Sequence, residues 1–455
     1  MTDVKTLTKK EILEKYEPVI GFEIHVELST AKKMFCACDA DWFQKDPNTQ
    51  VCPVCLGLPG ALPVPNKTAL EYSIKIAYAL GCKINLEQQF DRKHYFYPDL
   101  PKGYQITQFY KPVGVNGEVD IMINGKPKKI RLRRVHLEED TGKLIHEGDN
   151  SLVNFNRSGV PLVEIVTEPD FANAAEAKIF LKMLQNLVRR LGVSDADMEK
   201  GSMRLEPNIS LRKKGEKGLP NYKVEVKNIN SFNFAVKAIE SEIIRQGNLL
   251  ENNETPVQET RGFNMSNGKT VSQRRKEIAE DYRYLTEPDI PPIVFTKEQI
   301  DEVVKDMPVT PYEQFKQYIN MGIDEKISWT FVEDKHLSQL FDSINKQDLK
   351  NIGADKVKIA KFIVNKYKQY NFKDKKQVLD AYKKEYSKDD LDANEALEIV
   401  KQVIKDNPKA VADYKAGKQN AVQYMIGQFM RTIKRRVDVK PVIEMFKKEL
   451  DNLGD

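Results

Sequence analysis

Val19-Ile20-Gly21-Phe22-Glu23-Ile24-His25-Val26-Glu27-Leu28 alternates without a fault. Ile20, Phe22, Ile24, Val26 and Leu28 turn one way and Glu23, His25 and Glu27 the other, the period-two pattern of a strand buried on one face. On a lone strand the polar side would be a solvated face. Repeated on neighbouring strands it becomes a site, because carboxylates crowd together only where a cation or basic group offsets their repulsion.

The same habit recurs along the chain. Arg133-Arg134-Val135-His136-Leu137-Glu138-Glu139-Asp140-Thr141-Gly142-Lys143 is β-like and ends in a knot of imidazole and carboxylates. Its alternation slips at Arg133-Arg134, as a bulge would make it, leaving Arg134, His136 and Glu138 on one face. Pro161–Val166 holds Glu164 alone among apolar residues, and a buried carboxylate needs a partner. Met203–Arg212 turns Met203, Leu205, Pro207, Ile209 and Leu211 inward and Arg204, Glu206, Asn208, Ser210 and Arg212 outward. Glu225 and Lys227 alternate in Lys223–Ser231. Two amphipathic helices, Ala174–Leu191 ended by Gly192 and Phe234–Arg245 ended by Gly247, should cover the apolar side. Asn116-Gly117 and Asn124-Gly125 read as hairpin turns of an antiparallel meander.

Between the first strand and a helix expected over 66–80, Cys36 and Cys38 are followed by Cys52 and Cys55 in Cys52-Pro53-Val54-Cys55-Leu56-Gly57. Two close cysteine pairs, the second with a Pro and a Gly that shape the turn, predict a tetrahedral, structural zinc knuckle. Cys82 reads as core. The tyrosine-rich Phe90–Gln108 has neither helical nor strand period and reads as a structured loop lining something polar. Arg261, Arg274, Arg275, Lys276 and Arg283 form a basic closing section suited to phosphates.

At 455 residues, 40% hydrophobic and 31% charged, the chain is too long for one core. Past Pro291-Pro292 the texture becomes Lys- and Asp-rich helix, and a second break falls near Asn407-Pro408. The net charge is +5, yet the stretch from Lys401 to Asp455 holds twelve Lys and Arg against seven Asp and Glu, an equal excess in the tail alone. That asymmetry, with Arg431, Lys434 and Arg435 beside an apolar stripe, points to RNA phosphates. No run is apolar enough to span a bilayer and no signal-peptide layout opens the chain, which predicts a cytoplasmic protein without a membrane partner.

Acidic and imidazole ligands hold Mg²⁺, and arginine and lysine neutralise phosphate oxygens, the parts phosphoryl transfer needs. No P-loop, kinase motif set or G-x-S-x-G elbow occurs, so the expectation is an ATP-using activator without an acyl-transfer nucleophile.

The runs GFEIHVEL, CPVCLGLPGALPVPN, HYFYPDLPKGYQITQ, HLEEDTGK, NRSGVPLVEIVTEPD, MRLEPNISLR, EVKNINSF, ETRGF, SQRRKE and YRYLTEPDIPP resemble, in the family's order over nearly the whole chain, the B subunit (GatB) of glutamyl/aspartyl-tRNA amidotransferase. The resemblance implies an α+β fold: an antiparallel-sheet cradle with flanking helices over 1–292, an all-α domain over 293–407, and a YqeY-like tRNA-binding tail over 408–455. It implies ATP-dependent phosphorylation of the side-chain carboxylate of Glu on tRNA-Gln or Asp on tRNA-Asn. Ammonia, channelled from an amidase A subunit with a small C subunit joining the two, then displaces the phosphate. It implies Mg²⁺ on Glu23, His25, Glu138 and Glu164, with Glu138, His25 and Glu23 in catalysis and Glu138 also gating or deprotonating ammonium. Arg204, Glu206, Asn208 and Lys227 are the expected nucleotide contacts, and Lys93, Tyr97 and Lys102 the expected channel residues. Leu205-Glu206-Pro207 and Leu285-Thr286 depart from the family's usual residues, as does Lys434-Arg435-Arg436-Val437-Asp438. An archaeal-type E subunit would need an extra domain, for which Asp289-Ile290-Pro291 leaves no room. A zinc-bearing RNA-binding protein without catalysis would be expected to have lost the acidic face.

Overall fold

A computed structural model describes residues 6–275, 282–386, 392–418, 420–434 and 437–453. Arg435 of the expected RNA face, and Lys276 of the basic closing section, lie outside the described residues. The chain forms two compact units, one through Gln317 and one from Tyr318 onward.

The first unit opens with helix α1 (Lys9–Lys15), strand β1 (Tyr16–Glu27) and helix α2 (Lys67–Ala79). Strands β2 (Lys83–Ile84), β3 (Glu87–Gln88), β4 (Asp91–His94), β5 (Tyr104–Thr107), β6 (Gly114–Ile123), β7 (Lys126–Glu139), β8 (Lys143–Glu147), β9 (Asn150–Asn154) and β10 (Pro161–Thr167) follow. Then come α3 (Ala174–Arg190), β11 (Met203–Lys213), β12 (Val224–Lys227), α4 (Phe232–Glu251), β13 (Glu259–Asn264), β14 (Lys269–Arg275), β15 (Leu285–Thr286), β16 (Ile293–Val294) and α5 (Lys297–Val304). The main sheet runs β14-β13-β12-β11-β1-β10-β7-β5-β4-β15, with β6 and β2 branching from β7.

β1 occupies the middle of that sheet because it is apolar on one side throughout: Ile20, Phe22, Ile24 and Val26 are at most 1% exposed. Phe22 meets Phe171 edge-on at 5.4 Å, and Phe171 meets Phe180 of α3 at 5.3 Å. α3 packs on α4, and α4 on β11 and β14, so the helices cover one side of the sheet and leave the polar side uncovered by them.

Among the described strands, this sheet is antiparallel except at one place. β12 and β13 pair in parallel, joined through α4 as a βαβ unit, where an all-antiparallel sheet was expected. Three local expectations also change. Gly247 does not stop α4, which runs on to Glu251. A Cβ there would sit 2.4 Å from Ile12 Cγ2, so this glycine lets α1 approach. Asn116-Gly117 is not a turn either: Asn116 takes a φ of 52° inside β6, and Gly117 lies under Cys82 and the Leu80 carbonyl. Asn124-Gly125, both at positive φ, is the hairpin turn, with Ile123 paired to Lys126. The expected bulge is present: β10 pairs with β7 in register down to Val166 and Arg134, then skips Arg133 to put Thr167 opposite Leu132.

Beyond residue 292, β16 pairs with β3 and α5 packs on α2. Helices α6 (Pro311–Asn320), α7 (Glu325–Glu333), α8 (Lys335–Asp342), α9 (Lys346–Asn351), α10 (Lys356–Tyr370), α11 (Lys375–Tyr386), α12 (Ala393–Asp406), α13 (Pro408–Lys415), α14 (Asn420–Ile433) and α15 (Val439–Asn452) complete the chain. Val400 and Val403 of α12 share one core with Met425, Phe429, Val442 and Phe446. The sequence break at Asn407 therefore falls inside a single packed cluster. No described helix is long and apolar enough to cross a membrane.

Candidate active site

Strand register turns the alternating patterns into a grid on the open side of the sheet. Arg204, His25, Glu164 and His136 stand in one cross-strand row over β11, β1, β10 and β7. Glu206, Glu23, Val166 and Arg134 form the row beside it. Glu138, two residues beyond His136 along β7, faces Leu162 and Thr107. Directly opposed residues lie about 5 Å apart, close enough for their charges to act on one another.

The grid resolves into three clusters. In the first, ligand atoms of His25, Glu138 and Glu164 lie within 4.8 Å of one another. His25 Nε2 is 3.5 Å from Glu138 Oε1 and 3.7 Å from Glu164 Oε2, and His136 Nε2 is 3.1 Å from Glu164. Burial alone would raise Glu164, but the charge and hydrogen bonds of His136 and His25 hold it well below the carboxylate range. Burial also works against charge on His25, yet Glu164, Glu206 and Glu138 together push its pKa up to about 9. An imidazole and two carboxylates converging on one point suit a divalent cation, which would take the place of that proton. His136, 2% exposed, belongs to the same group and was not singled out as a ligand from the sequence.

Glu23 was expected with these residues and is found elsewhere. Its carboxylate groups within 4.8 Å with those of Glu206 and Glu225. Lys227 lies 3.3 Å from Glu206 and 3.4 Å from Glu225, Lys223 lies 3.7 Å from Glu23, and Asn208 donates to Glu23 at 3.2 Å. Burial raises Glu206 above its ordinary value. Glu206, Asn208 and Lys227, three of the four expected nucleotide contacts, thus stand together beside Glu23.

Arg204, the fourth, does not join them. It donates to Asp140 at 2.8 Å, with Arg157 3.7 Å from the same carboxylate. Burial pushes Glu27 up to about 8, with Asp140 beside it adding to the effect, while Trp42 donates to Glu27 at 3.1 Å. Burial would likewise raise Asp140, but the two guanidiniums hold it far below the carboxylate range. Glu27 and Asp140 were present in the quoted motifs without a role, because only the folded register brings residues 27, 140, 157 and 204 together.

The expected channel residues occupy three places. Lys93 lies beside the first cluster, its Nζ 4.8 Å from the Tyr282 ring centre; burial works against its charge, and the Glu138 and Glu164 carboxylates hold its pKa above the ordinary lysine value. Lys102 pairs at 2.7 Å with Glu139, which alternation turns to the opposite face from Glu138. Tyr97 is half exposed. In the second unit, Arg431 and Lys434 are exposed at the end of α14.

The four sulfurs of Cys36, Cys38, Cys52 and Cys55 lie within 4.8 Å of one another. The Cys52 amide donates to Cys55 Sγ at 3.1 Å, and the Cys36 thiol, as the main cause, draws Cys55 down to about 5. Four gathered thiols of which one is already poised as thiolate fit a closed, structural zinc site. Fully buried Lys33 approaches Cys55 Sγ at 3.7 Å and donates to the Gln50 carbonyl at 2.7 Å, tying the knuckle down.

Residues 18–301 match a family model described as a GatB/GatE catalytic domain, and residues 313–450 one described as a GatB domain. The B subunit of the aspartyl/glutamyl-tRNA(Asn/Gln) amidotransferase of Persephonella marina is 42% identical over 96% of this chain and 100% of its own length. Proteins of the same name from Thermotoga sp. strain RQ2 and Thermodesulfovibrio yellowstonii are 42% and 40% identical, each over 96% of this chain and 99% of its own. Both parts of the chain match, and nearly its whole length does: the chain belongs to the GatB family.

Proposed function

We propose that this chain is the carboxylate-activating component of a tRNA-dependent amidotransferase acting on Glu-tRNA(Gln), Asp-tRNA(Asn) or both. It works in the cytoplasm with an amidase A subunit and a small C subunit. The observation that carries the reading is the pairing, on one sheet face, of the His25–Glu138–Glu164 and Glu23–Glu206–Glu225 clusters, with Lys227 beside the second.

His25, Glu138 and Glu164 would hold Mg²⁺, which would supply charge neutralisation for the phosphate oxygens of ATP, the phosphoryl donor. The aminoacyl side-chain carboxylate forms a bond to the γ-phosphorus as the bond to the bridging oxygen breaks and ADP leaves. Asn208 and Lys227 hold and orient the nucleotide, with Glu206 fixing the lysine. Glu138 takes a proton from arriving ammonium, the freed nitrogen lone pair attacks the acyl phosphate carbon, and inorganic phosphate departs. Lys93, beside the first cluster, flanks the ammonia path, and Arg431, Lys434 and Arg435 meet tRNA phosphates. The cradle of residues 1–292 carries the chemistry, a helical domain spans 293–407, and the tail of 408–455 carries the tRNA contacts.

The test is ADP release by this chain co-expressed with its A and C partners, using ammonium as nitrogen donor, with and without misacylated tRNA. Release should depend on the charged tRNA and fall by about 100-fold or more in Glu138→Gln. Normal tRNA binding with ADP release that never responds to it would sink the proposal.

A further inference from the structure

Arg134 is not like the other arginines around this face. Arg204 and Arg157 are held by Asp140, whereas Arg134 has no carboxylate partner among the described residues. Its guanidinium carbon lies 5.3 Å from the centre of the Phe109 ring. That ring stacks on Tyr284 with centroids 3.8 Å apart and planes 11° from parallel. The platform is built in: the backbone amides of Phe109 and Tyr110 donate to the fully buried Asp91 at 2.8 and 3.0 Å, and the Tyr110 hydroxyl donates to the Tyr284 carbonyl at 3.3 Å. Arg134 Nε is buried and has no acceptor among the described residues. A guanidinium fixed by an aromatic stack, with donors still unused, is preorganised for a planar or tetrahedral anion.

Its place in the grid says which anion. Arg134 is two residues from His136 along β7, so about 7 Å from it, and shares a row with Glu23 and Glu206 across the apolar Val166. It therefore stands where both acidic clusters would be bridged by a phosphate-bearing ligand. We propose that Arg134 is the anion-recognition residue of this face, donating to a phosphate of the bound ligand from the Phe109–Tyr284 platform. This rests on the proposed carboxylate-activating role. Two sources share the chemistry, the phosphates of the nucleotide and the backbone phosphate of the tRNA 3′ end.

The complete complex carrying Arg134→Gln is compared with wild type in steady-state ADP release, varying ATP and charged tRNA separately. A fall of about 100-fold or more in kcat/KM for ATP, with KM for tRNA unchanged, assigns the nucleotide phosphate. A raised KM for tRNA, with normal turnover at saturation, assigns the tRNA backbone. Wild-type values for both overturn the proposal and leave Arg134 a packing residue. To exclude misfolding, Arg134→Ala is assayed with added guanidinium, which should restore at least 10-fold of the lost rate; a loss that guanidinium never restores also overturns it. Equilibrium binding of ADP and of uncharged tRNA to wild type and Arg134→Gln separates the two levels. If wild type releases no tRNA-dependent ADP, the functional reading fails. Arg134 then stands or falls on whether the variant weakens either binding.

Discussion

Asp140 sits between two guanidiniums and against the Glu27 carboxyl, 3% exposed. Replacing it by Asn leaves Arg204 and Arg157 with a weak neutral acceptor in a buried setting. Breaking a buried ion pair from one side costs about 3–5 kcal/mol. Asp140→Asn should lower the urea midpoint of the chain correspondingly, and Arg204→Met, which removes the competing charge, should recover part of it. The knuckle gives a second expectation at this scale. Metal analysis after gel filtration should find one zinc per wild-type chain and none in Cys52→Ser, whose thermal midpoint should fall, because metal binding contributes folding free energy directly. A variant that keeps its zinc would show that the four sulfurs do not act as one site.

At the scale of elements, α4 buries Glu242 at 0% exposure. Arg245 contacts it at 2.8 Å, Arg261 at 3.2 Å and Gln246 at 2.9 Å, and Thr270 donates to it as well. Burial would raise its pKa, but Arg245, Thr270 and Gln246 together depress it below its ordinary 4.5. A carboxylate depressed in the folded state contributes stability that is fully present above its unfolded pKa and lost as pH falls through the folded one. Glu242→Gln should cost about 3 kcal/mol at neutral pH. The gap from wild type should stay constant down to about pH 4.5 and close below it. Gly247→Leu on the same helix should push α1 away and cost about 1–3 kcal/mol, read in chemical denaturation.

These elements show what was legible in the chain and what was not. β1, β10 and β11 could be read residue by residue, since a period of two exposes both the buried and the functional side. The bulge at Arg133 was visible as a slip in that period. Gly247 and Asn116-Gly117 were misread because a glycine signal is local, while its reason here is a neighbour: Ile12 for the first, Cys82 and Leu80 for the second. The grouping of Glu23 apart from His25 depends on which strands flank β1, which alternation cannot state. The loneliness of Arg134 depends likewise on where every other carboxylate has gone.

For the whole molecule, charge and packing divide the chain differently. Lys401 to Asp455 carries a net excess of five positive charges, yet its helices α13 to α15 share their core with α12, which begins at Ala393. Truncation at 407 should therefore expose Val400 and Val403 and aggregate the remaining chain, whereas truncation before α12 should not, as judged by light scattering. Binding of tRNA to the full complex should weaken linearly with log salt. Replacing Arg431 and Lys434 together by Ser should reduce that slope by about 2, while a slope left unchanged would remove them from the RNA interface.

The position of β1 carries a cost that appears only during synthesis. Its flanking strands end at Thr167 and Lys213, far downstream of Glu27. At about 5–20 residues per second a ribosome takes on the order of 10–40 s to make that interval. Until Thr167 is made β1 has no neighbouring strand, and until Lys213 it has only β10, so the apolar face of Ile20, Phe22, Ile24 and Val26 waits for its full setting through that interval. Slowing translation before residue 213 should therefore lower the soluble yield more than the same pause placed after it.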